Sequence, residues 1–155
     1  RTVKALELKI PPVALFLLCG ALMWCLSAFL PGLSVAFAGS AILAVIVASA
    51  GLVAGLAGVA AFRRHATTVN PTKPEASSAV VSDGIYRFSR NPMYLSLLTG
   101  LAGWALFLEN AAALLVLPMF VAYMNRFQIK PEERALLEKF GSGYAEYMRS
   151  VRRWL

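Results

Sequence analysis

The sequence predicts an all-α, polytopic membrane protein with about four transmembrane helices and a helical tail outside the bilayer. Three observations carry this. First, 59% of the 155 residues are hydrophobic and only 15% are charged, where a soluble domain averages about a quarter charged. Second, the apolar residues come in long blocks rather than at helical or strand period, as membrane-spanning helices do. Third, every Lys and Arg lies in the lead up to Lys9, in the connection from Arg63 to Arg90, or from Arg126 onward.

The length suits one domain, residues 1–155. A net charge of +7 in a soluble chain would raise nucleic acid as a partner. Here the basic residues flank apolar blocks, so membrane topology accounts for them and no nucleic-acid partner is expected. Cys19 and Cys25 lie inside the first block and read as free thiols acting as small apolar side chains. Neither a disulfide framework nor a Cys/His metal site is expected. The first block lacks a small-residue cleavage site, so it does not read as a cleaved signal peptide.

Taken in order, residues 1–9 form a short basic amphipathic lead. The first span covers about 12–30, with Pro11 and Pro12 suited to its first turn and Pro31-Gly32 ending it. The second covers about 34–62 and exceeds the ~20 residues needed to cross. Its Gly51, Gly55 and Gly58 give a small-residue face, read first as close helix packing and second as a groove for substrate. Residues 63–91 are the long polar connection, turn-rich at Thr67-Thr68-Val69-Asn70-Pro71 and at Lys73-Pro74. His65, the only histidine, reads as a headgroup-level residue beside Arg63 and Arg64.

The third span covers about 92–108, and Glu109-Asn110 makes a tight polar turn. The fourth covers about 111–127, with Pro118 as a kink. Residues 128–155 form a polar tail in which Leu136, Leu137, Phe140, Tyr144 and Tyr147 can share one apolar side, and Gly141 to Gly143 divides two short helices. With four spans, the three basic regions fall on one side, which the positive-inside rule puts in the cytosol together with both termini. The polar stretches 63–91 and 128–155 then face one compartment and can form one site.

Two motifs occupy those stretches. The first is Gly84-x-Tyr86-Arg87-x-x-Arg90-Asn91-Pro92-x-Tyr94. The second is Glu132-Glu133-x-x-Leu136-x-x-x-Phe140-Gly141-x-x-Tyr144-x-x-Tyr147-x-x-x-Val151-x-Arg153-Trp154-Leu155. A helix start offers free N–H groups and a positive dipole end. Arg87 and Arg90 suit a carboxylate or phosphate, the two glutamates suit an ammonium or sulfonium, and the aromatic rings can stack on a purine. A zwitterionic amino acid joined to a nucleoside and carrying a positive sulfur, as in S-adenosylmethionine, would satisfy the whole set. Plainer readings stand beside this. Glu132 and Glu133 can stabilise a helix first turn unaided. The arginines can be cytosolic anchors, and the tyrosines an aromatic belt.

Over residues 67–155 the two motifs together resemble the isoprenylcysteine carboxyl methyltransferase family and its phospholipid methyltransferase relatives. The resemblance implies an integral membrane methyltransferase of bacterial inner-membrane type, using S-adenosylmethionine in a cytosol-facing cofactor pocket over which the C-terminal helices close. A lipophilic acceptor (a small molecule, lipid or prenylated group) would enter sideways from the membrane lipids. By position, Tyr86, Arg87, Arg90, Asn91, Pro92 and Tyr94 would line the cofactor site from one side, and Glu132, Glu133 and Tyr144 from the other. Tyr144 and Tyr147 would hold the tail helices over the pocket.

Arg90 or Arg126 would orient an anionic acceptor, and Glu133 would meet the cofactor's amino or ribose groups. Glu133→Ala is therefore expected to weaken cofactor binding without unfolding the protein. The eukaryotic prenylcysteine enzymes have His where this chain has Asn91, and Asn is no general base near neutral pH. That departure and the small number of spans point away from a prenylcysteine carboxylate as acceptor. Two other readings remain at this level: an NADPH-dependent sterol-type membrane reductase, and a non-catalytic membrane scaffold.

Overall fold

The computed structural model describes residues 6–65 and 73–155. The polar lead-in at 67–71 and the first five residues lie outside the described residues. Helix α1 spans Pro12–Phe29, α2 Ser40–Arg64 and α3 Pro92–Leu108. Beyond a turn come α4 (Ala111–Leu114), α5 (Val116–Tyr123), a π-helical turn at Met124–Ile129, α6 (Lys130–Phe140) and α7 (Ser142–Ser150). Short 3-10 turns occur at Pro31–Leu33, Pro74–Ala76 and Gly84–Arg87. Among the described residues there is no strand, only an isolated bridge between Ser34 and Asn110.

Pro12–Phe29, Ser40–Arg64 and the helical stretch Ala111–Phe140 are long and apolar enough to cross a membrane. Pro92–Leu108 is apolar but shorter, at 17 residues. The buried face of α1 is a narrow stripe of Leu15, Cys19 and Met23, spaced four apart and so stacked on one side. Leu18, Ile42, Ile46 and Val53 all face outward. An outer surface this apolar is stable against hydrocarbon and not against water.

The second helix starts six residues later than the sequence suggests. Ser34 pairs with Asn110 and the Val35 amide donates to Glu109 O at 2.7 Å, so this segment is bound to the α3–α4 turn instead. Gly39, at φ 89°, then takes a left-handed conformation that no helix interior contains. The expected turn at Glu109-Asn110 is present: Asn110 caps α4 by accepting from the Ala112 amide at 2.9 Å, and its Nδ2 donates to Leu30 O.

Close packing of α2 on α3 explains the glycine face. A Cβ on Gly51 would sit 3.0 Å from Ser96 O, one on Gly55 2.6 Å from Ser96 Oγ, and one on Gly58 2.9 Å from Met93 Cγ. Across the same seam, a Cβ on Gly103 would meet Ala44 O at 2.9 Å.

The fourth apolar stretch departs from expectation in two ways. Its break falls at Leu115, three residues before Pro118, where the proline ring crowds the carbonyl one turn back and supplies no N–H to it. Its lower end does not stop near Phe127 but runs helically into α6. Pro131 there cannot donate to Phe127 O. The Leu8 amide donates to that carbonyl instead, at 2.9 Å, so the lead segment completes the ladder that proline interrupts. The tail then divides as expected at Gly141, φ 55°. Leu136, Phe140, Tyr144 and Tyr147 share one apolar cluster, whereas Leu137 is exposed, one position off that face.

Candidate functional site

A cavity of about 570 Å³ opens at the basic end of the bundle. Its floor is the start of α3, one wall is α2, and α6 with α7 forms the other. The described end of the polar connection, around Ser77 to Val81, closes it from above. Of the residues the sequence nominates, Tyr86, Arg90, Asn91, Tyr94, Glu132, Glu133 and Tyr144 all line it. Arg87 is exposed outside it, and Pro92 is buried at the α3 start without lining it. Arg126 is also elsewhere: on the π-turn it donates to Glu7 Oε1 at 2.9 Å. His65 stays at the C-terminal end of α2, its Nδ1 3.0 Å from Ala61 O.

The two glutamates differ sharply. Glu133 is clasped by two guanidinium groups. Arg153 meets it with Nε to Oε1 at 3.0 Å and Nη2 to Oε2 at 2.6 Å, a bidentate pair. Arg90 Nη2 lies 3.1 Å from Oε1, and both of those side chains are only 9% exposed. Arg90 Nη1 also donates to Met148 O at 3.1 Å. The Arg90 Nε, buried, has no hydrogen-bond partner among the described residues.

The last residues of the chain complete this clasp. The Arg90 amide donates to Arg152 O at 3.0 Å, and Asn91 Nδ2 donates to Arg153 O at 2.9 Å. Trp154 Nε1 donates to Asn125 Oδ1 at 3.1 Å, and Tyr147 OH donates to Tyr86 O at 2.8 Å. The first motif is thus sewn to the tail along its length.

Among the described residues no cation pairs with Glu132. Tyr94 OH donates to its Oε1, as does Gln128 Nε2. Both bonds fall on one oxygen, which leaves Oε2 for a ligand. Tyr86, Tyr144 and Tyr147 are buried, and burial pushes each phenol far above its ordinary range. All three are therefore neutral hydrogen-bonding and stacking groups at physiological pH.

Because the chain is helical through Ile129 and Lys130, Glu132 and Glu133 do not sit at an open helix N-terminus, and the helix-dipole reading loses its basis. The sequence reading missed Gln128, 2% exposed, although it stands four residues before Glu132 on the same helical face. It also missed the role of Arg153, which stood in the second motif as a residue without a partner.

The phospholipid methyltransferase family model matches residues 39–143. Over 63 residues the chain is 49% identical to an uncharacterized protein of Haemophilus influenzae, covering 41% of this chain and all of that protein. Over 83 residues it is 34% identical to the protein-S-isoprenylcysteine O-methyltransferase of Saccharomyces cerevisiae, covering 52% of this chain. That match spans only 34% of the yeast protein. No solved structure matches the chain.

Proposed function

We propose that this chain, which belongs to the phospholipid methyltransferase family, is an integral membrane enzyme that transfers a methyl group from S-adenosylmethionine to a lipophilic or membrane-associated acceptor. The observation that carries the reading is one cavity with a polar end and an apolar arm. The polar end offers the Glu132 carboxylate, the unpartnered Arg90 Nε and the Tyr86 and Tyr144 rings; the arm is lined by Leu52, Leu56 and Val59 of α2 and by Leu97 of α3. The name of the yeast relative supports methyl transfer as the chemistry.

The polar groups suit the proposed cofactor. S-adenosylmethionine, when bound, supplies an electrophilic methyl group. Glu132 Oε2 can receive its ammonium or a ribose hydroxyl, and Arg90 Nε can donate to its carboxylate or to the purine. Tyr86 and Tyr144 can stack on the purine ring. Glu133 is fully paired, so its part is to hold Arg90 and the tail in place rather than to touch the cofactor. The tail and the Ser77–Val81 segment keep water from the reacting atoms, and the wall residues fix the approach of the acceptor. In this reading α3 is a fourth crossing and the basic end faces the cytosol.

The test is direct binding of S-adenosylmethionine, S-adenosylhomocysteine and NADPH to the purified protein in nanodiscs. Binding of both adenosyl compounds and not NADPH is the expected outcome. NADPH binding alone would move the chain to the reductases, and binding of none from a folded sample would favour a scaffold.

A further inference from the structure

The lead that precedes α1 is bound to the helix that carries both glutamates. Glu7 Oε1 accepts from Arg126 Nη1 at 2.9 Å, and its Oε2 pairs with Arg134. Arg126 stands before Pro131 and Arg134 after it, so one carboxylate bridges the proline. The Leu8 amide donates to Phe127 O at 2.9 Å. Leu8 itself is at φ 57°, a left-handed conformation that a leucine adopts only where its surroundings impose it. Ile10 then packs on the apolar core, and Pro11, Pro12 and Val13 reach the cavity wall. The element gripped in this way is the π-helical turn, Met124–Ile129. Val116, Phe120 and Met124 form a buried row spaced four apart, and the row continues at Ile129 and Glu133 after a step of five. A π-turn admits that one extra residue, and such turns recur at functional sites. Beside this row stands a second, Gln128 and Glu132, along which the Gln128 amide donates to the Glu132 carboxylate. The π-turn therefore sets which way each glutamate faces.

We propose that the lead is a positioning clip for the site: Glu7 and the Leu8 amide hold the π-turn, and the turn holds Gln128 against Glu132. Glu7 is then a positioning residue that touches no ligand. Its influence runs through Arg126 and the Phe127 carbonyl to Gln128 Nε2, and from there to Glu132 Oε1. With Gln128 and Tyr94 both on Oε1, the rotation of the carboxylate is fixed. The benefit to a bound cofactor rests on the methyltransferase reading above; the clip itself does not.

Gln128 is the only glutamine in the chain. The whole protein in detergent, grown with isotope-labelled glutamine, therefore gives one side-chain amide signal by NMR. Glu7→Met keeps the side chain's length, removes its charge and adds no second amide. Its unfolding midpoint is expected to stay near the parent's, because both arginine partners are about half exposed. The Gln128 amide signal is expected to move from its carboxylate-bonded position towards its position in the denatured chain. Affinity for S-adenosylmethionine, read by calorimetric titration, is expected to fall about fivefold, and Glu7→Met is expected to add no loss to that of Gln128→Ala, since both act through one bond. An unmoved amide signal, an unchanged affinity where the parent binds, or a full fivefold loss added on top of Gln128→Ala would each overturn the proposal. So would a midpoint that falls as far as that of Glu133→Ala. A moved signal in a protein that binds no S-adenosylmethionine would uphold the clip and count against the methyltransferase reading.

Discussion

The clasp around Glu133 and the cluster around Glu132 stand one residue apart on α6, yet they are built from opposite materials. Glu133 faces two guanidinium groups and joins α3, α6 and the end of the chain. Glu132 faces a phenol and an amide, both neutral donors. A carboxylate already neutralised by two arginines has little left for a ligand. One held only by neutral donors has no counter-ion of its own among the described residues and can pair with a cation that a ligand brings. In the proposed reading the adjacent acidic residues divide the work: Glu133 fixes the shape of the cavity, and Glu132 receives its contents.

Removing the clasp is the strongest way to test this division. Glu133→Ala leaves Arg90 buried without a counter-ion and takes the partner from Arg153. Breaking a buried pair at one end costs roughly 3–5 kcal/mol; with Arg153 30% exposed and screened by solvent, about 3 kcal/mol is expected. Denaturant unfolding in detergent measures it. The sequence alone leads to a different expectation, weaker cofactor binding without unfolding, and titration of the folded variant with S-adenosylmethionine distinguishes the two.

Glu132→Gln is the complementary change. It keeps the side chain's size and removes its charge, so unfolding is expected to change little. Affinity for S-adenosylmethionine is expected to fall about tenfold, the scale of one lost charge-assisted hydrogen bond. Calorimetric titration reads it. Equal losses of stability in the two variants would erase the distinction between the glutamates.

Much of this arrangement was legible in the sequence. Block hydrophobicity and the confinement of Lys and Arg to three stretches gave the helical bundle, and the two motifs gave the charged residues and the tyrosines of the cavity lining. Pro12, Pro92 and Gly141 marked helix boundaries because backbone chemistry acts locally. What the sequence did not yield were pairings between distant segments. That Arg126 turns to Glu7, that Arg153 takes Glu133, and that Ser34 and Val35 bind the α3–α4 turn all depend on where helices meet. The continuity from α5 into α6 was hidden for a related reason. Pro131 reads as a helix start, yet the helix passes through it, with the Leu8 amide from far along the chain donating to the Phe127 carbonyl that Pro131 cannot reach.

Glu7 offers the smallest effect and the sharpest control. Like Glu133 it sits between two arginines, Arg126 and Arg134, but these are 42% and 54% exposed. If two arginine partners alone made a clasp, Glu7→Gln would resemble Glu133→Ala. Exposed pairs are screened and lose side-chain entropy on pairing, so the unfolding midpoint of Glu7→Gln is expected to stay close to that of the parent. The sign of any remaining difference is fixed by pH. The hydrogen bond from Arg126 holds the Glu7 carboxyl below its ordinary value of 4.5. Its contribution is therefore present above that value and is lost as pH falls through the lowered folded-state value. Parent and variant are expected to differ slightly at neutral pH and to converge in acid, as unfolding scans across that range will read. A Glu7→Gln loss as large as that of Glu133→Ala would mean that partner number rather than burial makes the clasp.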